Sequence, residues 1–425
     1  MGDPDGAASG TSPVPGSPAP GSPAYRAAQR ADLLRFAAGA RDPLGFGWLD
    51  ERGAPDPGRP VELWITCRMT HVLALGVLRD EAPAPGGPDV EALRELAGHG
   101  VRSLLGPLAD LQHGGWFASV ARGRPADGAK QAYGHAFVVL AAGTAVAAGL
   151  PGAAALLERA LAVQDERFWD AGTGLVREEW DRGWKRLSPY RGLNAAMHTV
   201  EAYLAASDVT GDRRWRDRAA GIAERVRGWA RESCWRVPEH FDEHWTPQPG
   251  FGREHPDDPF RPYGATVGHG LEWARLLVSL DAALGAGAPK GLVEDAVSLA
   301  DRAVADGWAA DGADGFVYTT DWDGAPVVRT RMHWVAAEAV ATAYVLHRAT
   351  GEARWADEGR RWWRYVEDHL VDHSRGSWHH ELDAGNRPAA TVWAGKPDVY
   401  HAYQAALLPE LPPAGSVVGG VLAAR

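Results

Sequence analysis

Two kinds of helical pattern alternate along the chain. "YGHAFVVLAAGTAVAAG" holds no Asp, Glu, Lys or Arg, and "NAAMHTVEAYLAAS" holds only Glu201. Helices apolar around their whole circumference must be enclosed by protein. "RRWRDRAAGIAERVRGWARE" and "ARWADEGRRWWRYVEDHL" instead carry a charged face and an apolar stripe, which suits helices half in water. The periodicity predicts twelve helices, over residues 24–40, 62–79, 88–110, 129–148, 151–166, 191–208, 212–230, 264–284, 288–306, 332–349, 352–371 and 396–409. A buried helix followed by a half-exposed one, six times over, implies two concentric rings.

The connections agree with this reading. "HGGWFASV", "TGLVREEWDRGW", "DGFVYTTDWDG" and "RGSWHHELDAGN" are rich in Gly and aromatics and read as short hairpins leading into the next buried helix. Buried-helix starts taken at Arg68, Tyr133, Asn194, His269, His333 and His401 are 65, 61, 75, 64 and 68 positions apart. The expected fold is therefore all-α, an (α/α)6 barrel, with residues 24–410 as one domain. An open solenoid of helix pairs is the competing architecture; it requires a polar cap on its end helices, and "VYHAYQAALLPELPP" offers none. Residues 1–23, rich in Pro, Gly and Ser, are expected to be a disordered tail without the features of a signal peptide, and 411–425 a C-terminal tail.

Composition narrows the partners. The net charge is −11, and the Arg-rich stretch is interleaved with acids, so a nucleic-acid partner is not expected. The longest apolar run, Ala136 to Leu150, falls short of the roughly 20 residues that cross a bilayer, so no membrane partner is expected either. Cys67 and Cys234 stand alone, as in a reduced, cytoplasmic protein without a structural zinc site. The 19 Trp are numerous; most are expected in the core and a minority around a ligand.

Polar residues gather at the starts of the buried helices: Arg68, Thr70 and His71; Tyr133 and His135; Arg191, Asn194 and His198; His269 and Glu272; His333 and Glu338; Lys396, Asp398 and His401. A ring would converge these six groups at one mouth. Taken singly, His71 and His135 read as core or capping residues, and Arg68 as the partner of Glu272 or Glu338. His269 and Glu272 have a spacing that could hold a metal, but no second motif complements it, so no metal or cofactor is expected. Neither a nucleophile elbow nor a phosphate loop is present. A funnel of His, Arg, Asn, Tyr, Glu and Trp suits a neutral polyol, and two facing histidines could move a proton beside a sugar carbonyl.

"RMTHVLALG", "AYGHAF", "GLNAAMHTVEAYLAA", "VPEHFDEHW", "GHGLEWARLL", "RMHWVAAEA" and "GKPDVYHAYQA" resemble, in that order, the N-acylglucosamine 2-epimerase superfamily. The last is most similar to its D-mannose isomerase and sulfoquinovose isomerase branch. The resemblance implies the (α/α)6 barrel and a metal-free aldose–ketose isomerase acting on a monosaccharide through a cis-enediol. It implies His269 and His401 as the acid/base pair. Arg68, Tyr133, Asn194, His198, Glu272 and Trp334 would bind or orient substrate, with Glu381 at the pocket's border. Sulfoquinovose isomerases carry a Gln, which helps receive the sulfonate, where this chain has Pro397; an unsubstituted hexose is thus favoured, D-mannose and D-fructose first. Related aldoses such as D-lyxose come next; a mannose/glucose 2-epimerase or a sulfoquinovose isomerase sharing the proton transfers, a glycoside hydrolase using two carboxylates, and a non-catalytic sugar-binding protein are the alternatives.

Overall fold

The structure, a computed structural model, describes residues 18–425. Its helices are α1 (Pro23–Ala37), α2 (Leu63–Arg79), α3 (Val90–Leu105), α4 (Ala132–Ala147), α5 (Ala153–Val163), α6 (Leu193–Thr210), α7 (Arg213–Glu232), α8 (Val267–Leu284), α9 (Leu292–Gly307), α10 (His333–Thr350), α11 (Ala353–Tyr365), α12 (Tyr400–Leu407) and α13 (Val417–Ala423). The even-numbered helices α2 to α12 form the inner ring, each packed on the next, and α12 returns to α2 to close it. The odd helices from α3 to α11 lie outside. α1 sits against α12 and α2, so the start of the chain supplies the outer partner of its last inner helix. The fold is the (α/α)6 barrel that the alternation predicts.

Inner and outer helices start differently. Three of the outer helices carry side-chain caps: Ser22 caps α1, Asp89 caps α3 and Asp212 caps α7. At α2, α4, α6, α8 and α10 the first helical N–H instead donates to a loop carbonyl, that of Ala118, Glu178, Glu239, Tyr318 and His380 respectively. Just before each of these helices lies a two-residue strand. It pairs with the strand that follows the capping carbonyl, as Arg191–Gly192 pairs with His240–Phe241 and Arg331–Met332 with Glu381–Leu382. This repeated stitch leaves the helix starts free of capping side chains and aims them at one mouth.

Three expectations need correction. The segment expected as a helix from 396 becomes helical only at Tyr400, because Pro397 and the non-helical backbone of 395–399 hold it off. Residues 411–425 are no tail: α13 buries Val418 and Val421 against α2, α4 and α6. Arg425 donates to the Leu78 carbonyl at 2.6 Å and Ser416 to Asp208 at 2.6 Å, so this segment closes the barrel end opposite the mouth. Of the tail expected over 1–23, residues 1–17 lie outside the described residues; Ala19–Ser22 form a turn leading into α1 at Pro23.

Most tryptophans serve packing, among them Trp116, Trp215, Trp273, Trp355, Trp362 and Trp378, all under 2% exposed. Trp64, Trp334 and Trp393 are the exceptions, and they stand at the mouth.

Lys396 shows how the repeat governs the loops. It is fully buried and donates to Asp372 at 2.7 Å and to the Gly376 carbonyl at 2.8 Å, away from the mouth where sequence had placed it. The equivalent pair before α4, two inner helices around the ring, is Lys130 with Asp110, at 3.0 Å and also buried. Breaking a buried pair strands the other charge, so Lys396→Met is expected to cost about 3–5 kcal/mol of unfolding free energy in urea.

Candidate active site

Eight of the nine residues proposed from sequence line one cavity at the mouth: Arg68, Tyr133, Asn194, His198, His269, Glu272, Trp334 and His401. The first two turns of α2, α4, α6, α8, α10 and α12 deliver them. Trp334 ties the two candidate acid/base histidines together, its ring centroid 5.2 Å from that of His269 and 5.7 Å from that of His401. That approach needs a glycine on α8: a Cβ on Gly268 would stand 2.3 Å from the Trp334 ring.

Each histidine is held by a carboxylate on its Nδ1. His401 Nδ1 lies 2.9 Å from Glu338 Oε1, and His269 Nδ1 lies 2.9 Å from both oxygens of Glu239. A carboxylate accepts on this side, so Nδ1 carries the proton and Nε2 offers its lone pair. Burial, with help from the Arg68 charge, pushes the His401 imidazole well below its ordinary pKa; it is neutral at pH 7 and competent as a base.

The walls are poised for hydroxyl groups. Asn194 Oδ1, Glu272 Oε2 and His333 Nε2 are buried polar atoms without a partner among the described residues, and all three residues border the cavity. Burial and the nearby Glu338 raise the Glu272 carboxyl well above the usual range, which favours its protonated, donating form. Arg68 pairs with Asp398 at 3.2 Å rather than with Glu272 or Glu338, and donates to the Tyr133 hydroxyl at 2.9 Å. Its guanidinium lies over Trp64, Phe137 and Tyr400, which fixes its direction. Burial lowers the His198 imidazole to about 4, leaving it neutral beside Glu201 at 3.5 Å. Trp64, Phe260 and Trp393 complete an aromatic rim.

Glu381, the ninth residue, does not border the cavity. Its oxygens accept from the backbone N–H groups of Thr391, Val392 and Trp393 and from the Thr391 hydroxyl, so it shapes the loop that presents Trp393. Strand alternation is the reason: its neighbour His380 faces the site, and the next residue must face away. His71 and His135 bond within the protein, to Thr144 at 2.7 Å and to the Gln131 carbonyl at 2.7 Å. Glu239 was not singled out in the sequence. The repeat could have revealed it, because it holds the same capping position as the cavity-facing Tyr318 and His380.

Two trios, His198–Glu201–Glu272 and Glu272–Glu338–His401, bring possible ligand atoms within 4.8 Å of one another. Arg275 lies among the same carboxylates, 2.7 Å from Glu338 and 3.5 Å from Glu272, and supplies a cation there. The His269–Glu272 pair raised by its spacing does not converge: His269 turns to Glu239, and Glu272 to Arg275.

Comparison with known proteins gives a consistent picture. The model of the N-acylglucosamine 2-epimerase family matches residues 45–405. The chain is 50% identical to a D-mannose isomerase of Thermobifida fusca, over 94% of this chain and 96% of that one. It is 45% identical to a D-mannose isomerase of Pseudomonas cannabina pv. alisalensis, over 92% of each. Among solved structures, a D-mannose isomerase superposes with a TM-score of 0.84 at 27% identity, covering 93% of this chain and 99% of that one. The cellobiose 2-epimerase of Spirochaeta thermophila DSM 6192 does so with 0.79 at 25%, covering 94% and 97%.

Proposed function

This chain belongs to the N-acylglucosamine 2-epimerase family, and from that membership we propose that it is an aldose–ketose isomerase interconverting D-mannose and D-fructose. Its relatives at 50% and 45% identity carry the name D-mannose isomerase. The observation that carries the reading is the pair of imidazoles, His269 and His401, each fixed by a carboxylate and both against Trp334 at one cavity.

One imidazole removes the proton on C2 and a cis-enediol forms; returning a proton to C1 gives the ketose. The other imidazole and the Glu272 carboxyl serve the oxygens, where hydrogen moves between O2 and O1. Arg68, Tyr133, Asn194 and His198 hold the hydroxyls, and Trp334 lies along the C–H face. No step in this scheme requires a metal. Pro397 borders the cavity without a donor and leaves no counterpart for a sulfonate, which favours an unsubstituted hexose. With both cysteines free, one buried and one exposed, we place the enzyme in the reducing cytoplasm.

NMR of 2-deuterated mannose with chelator-treated enzyme tests the reading. Fructose formation with movement or loss of the label is expected. Glucose as the first product would make the enzyme a 2-epimerase. Activity only on added metal ion would overturn the metal-free scheme, and binding without label exchange would leave a sugar-binding protein.

A further inference from the structure

Beneath the cavity, one guanidinium holds together carboxylates from three inner helices. Arg275 of α8 donates through Nε to Glu338 Oε2 at 2.7 Å, and its Nη2 lies 3.5 Å from Glu272 and 4.0 Å from Glu201. All four side chains are at most 5% exposed. The other oxygen of Glu338 is the one that faces His401.

We propose that Arg275 is a positioning residue for His401: it holds Glu338 turned so that Oε1 accepts from Nδ1–H, which directs the imidazole's Nε2 lone pair at the substrate. This rests on the reading of His401 as an acid/base group.

The reasoning is one of donors and acceptors. Arginine only donates, so Glu338 Oε2 must accept, and the sole place for a proton on Glu338 is Oε1, against His401. The guanidinium charge opposes that proton. The charged and titratable groups around Glu338 are Arg275 and Glu272 of α8 and His401 of α12, with Glu201 and His198 of α6 one step beyond. Burial and the neighbouring Glu338 push Glu272 toward its protonated form. Remove Arg275, and Glu338 loses the donor on Oε2 and the cation beside it, so the carboxyl group is free to turn and to take up a proton from solvent. Placed on Glu338 Oε1, that proton is donated to His401 Nδ1. The imidazole's own proton then sits on Nε2, and the base toward the substrate is lost.

A second cavity, of about 260 Å³, gives access to this cation from the opposite barrel end. Arg275 and Glu201 border it, together with the last turns of α8 and α10 and the 408–417 segment.

Long-range ¹⁵N–¹H correlation on histidine-labelled wild type should show His401 as the neutral Nδ1–H tautomer at pH 7. In Arg275→Met the Nε2–H form should appear and revert as pH rises. Its kcat should fall about 10- to 100-fold, in the range of lost supporting contacts, with KM little changed and with activity recovering toward alkaline pH. Millimolar guanidinium ion should restore part of it, and Ala282→Trp, which fills the far cavity, should remove the rescue. A wild-type Nε2–H tautomer overturns the proposal, as does a variant that loses turnover with the wild-type pH profile and no rescue. If Arg275→Met fails to fold, the wild-type spectrum decides. A protein inactive on every aldose yet showing the Nδ1–H form would remove the isomerase reading and leave this contact standing.

Discussion

His401→Ala is expected to lower kcat by about 10²–10⁴-fold, the usual contribution of a positioned acid/base group, while melting temperature and KM stay near those of the wild type. The side chain is 5% exposed, and its ring meets Trp334 and Glu338, so alanine leaves a small gap at the mouth rather than a hole in the core. Circular dichroism with steady-state kinetics checks both halves. Near-normal turnover would remove His401 from the mechanism. The pH profile of the wild type adds a sign. Burial and Arg68 depress the His401 imidazole below its ordinary value near 6.5. The base is therefore already unprotonated at pH 6.5, and the acid limb of kcat that belongs to it should fall below that pH. Loss of the base at a midpoint above 6.5 contradicts this.

Glu239→Gln should be nearly as damaging, about 10²–10⁴-fold in kcat, because exchanging carboxylate for amide under a catalytic imidazole lets the wrong tautomer form. The carboxylate meets His269 Nδ1 with both oxygens at 2.9 Å, and either can only accept. An amide can turn its NH₂ toward the ring instead, which moves the ring proton to Nε2. Shape and volume are preserved, and the main chain of Glu239 still caps α6 through its carbonyl. Stability and KM should thus change little. A Gln variant with wild-type kcat would show that the charge on Glu239 is dispensable.

The ring itself was legible because helices without charged residues have nowhere to go but inside, and the chain alternates them with striped ones. The convergence of Arg68, Asn194, Glu272 and His401 followed from that geometry. What sequence could not supply was pairing across the fold. Lys396 sits among cavity residues yet belongs to Asp372, and only the buried contact, repeated by Lys130 and Asp110, reveals a structural role. Glu381 was placed one residue off, since strand alternation selects His380 and nothing local tells which of two neighbours faces inward. Glu239 and His269 meet from 30 positions apart, and Arg275, buried within an apolar helix, acquires its meaning only from Glu338 on the next inner helix.

The ring closes through its two ends, and this bears on how the protein is made. Arg30 of α1 donates to the carbonyl of Ala406, 376 positions later, and to Glu410. On the ribosome α1 can meet α2 early, but the face it gives to α12 stays bare until residues 400–407 have been translated. Such long-range closure is slow and leaves surface open to aggregation meanwhile. His401 arrives in the same final stretch, so a chain terminated before it would lack one half of the proposed acid/base pair.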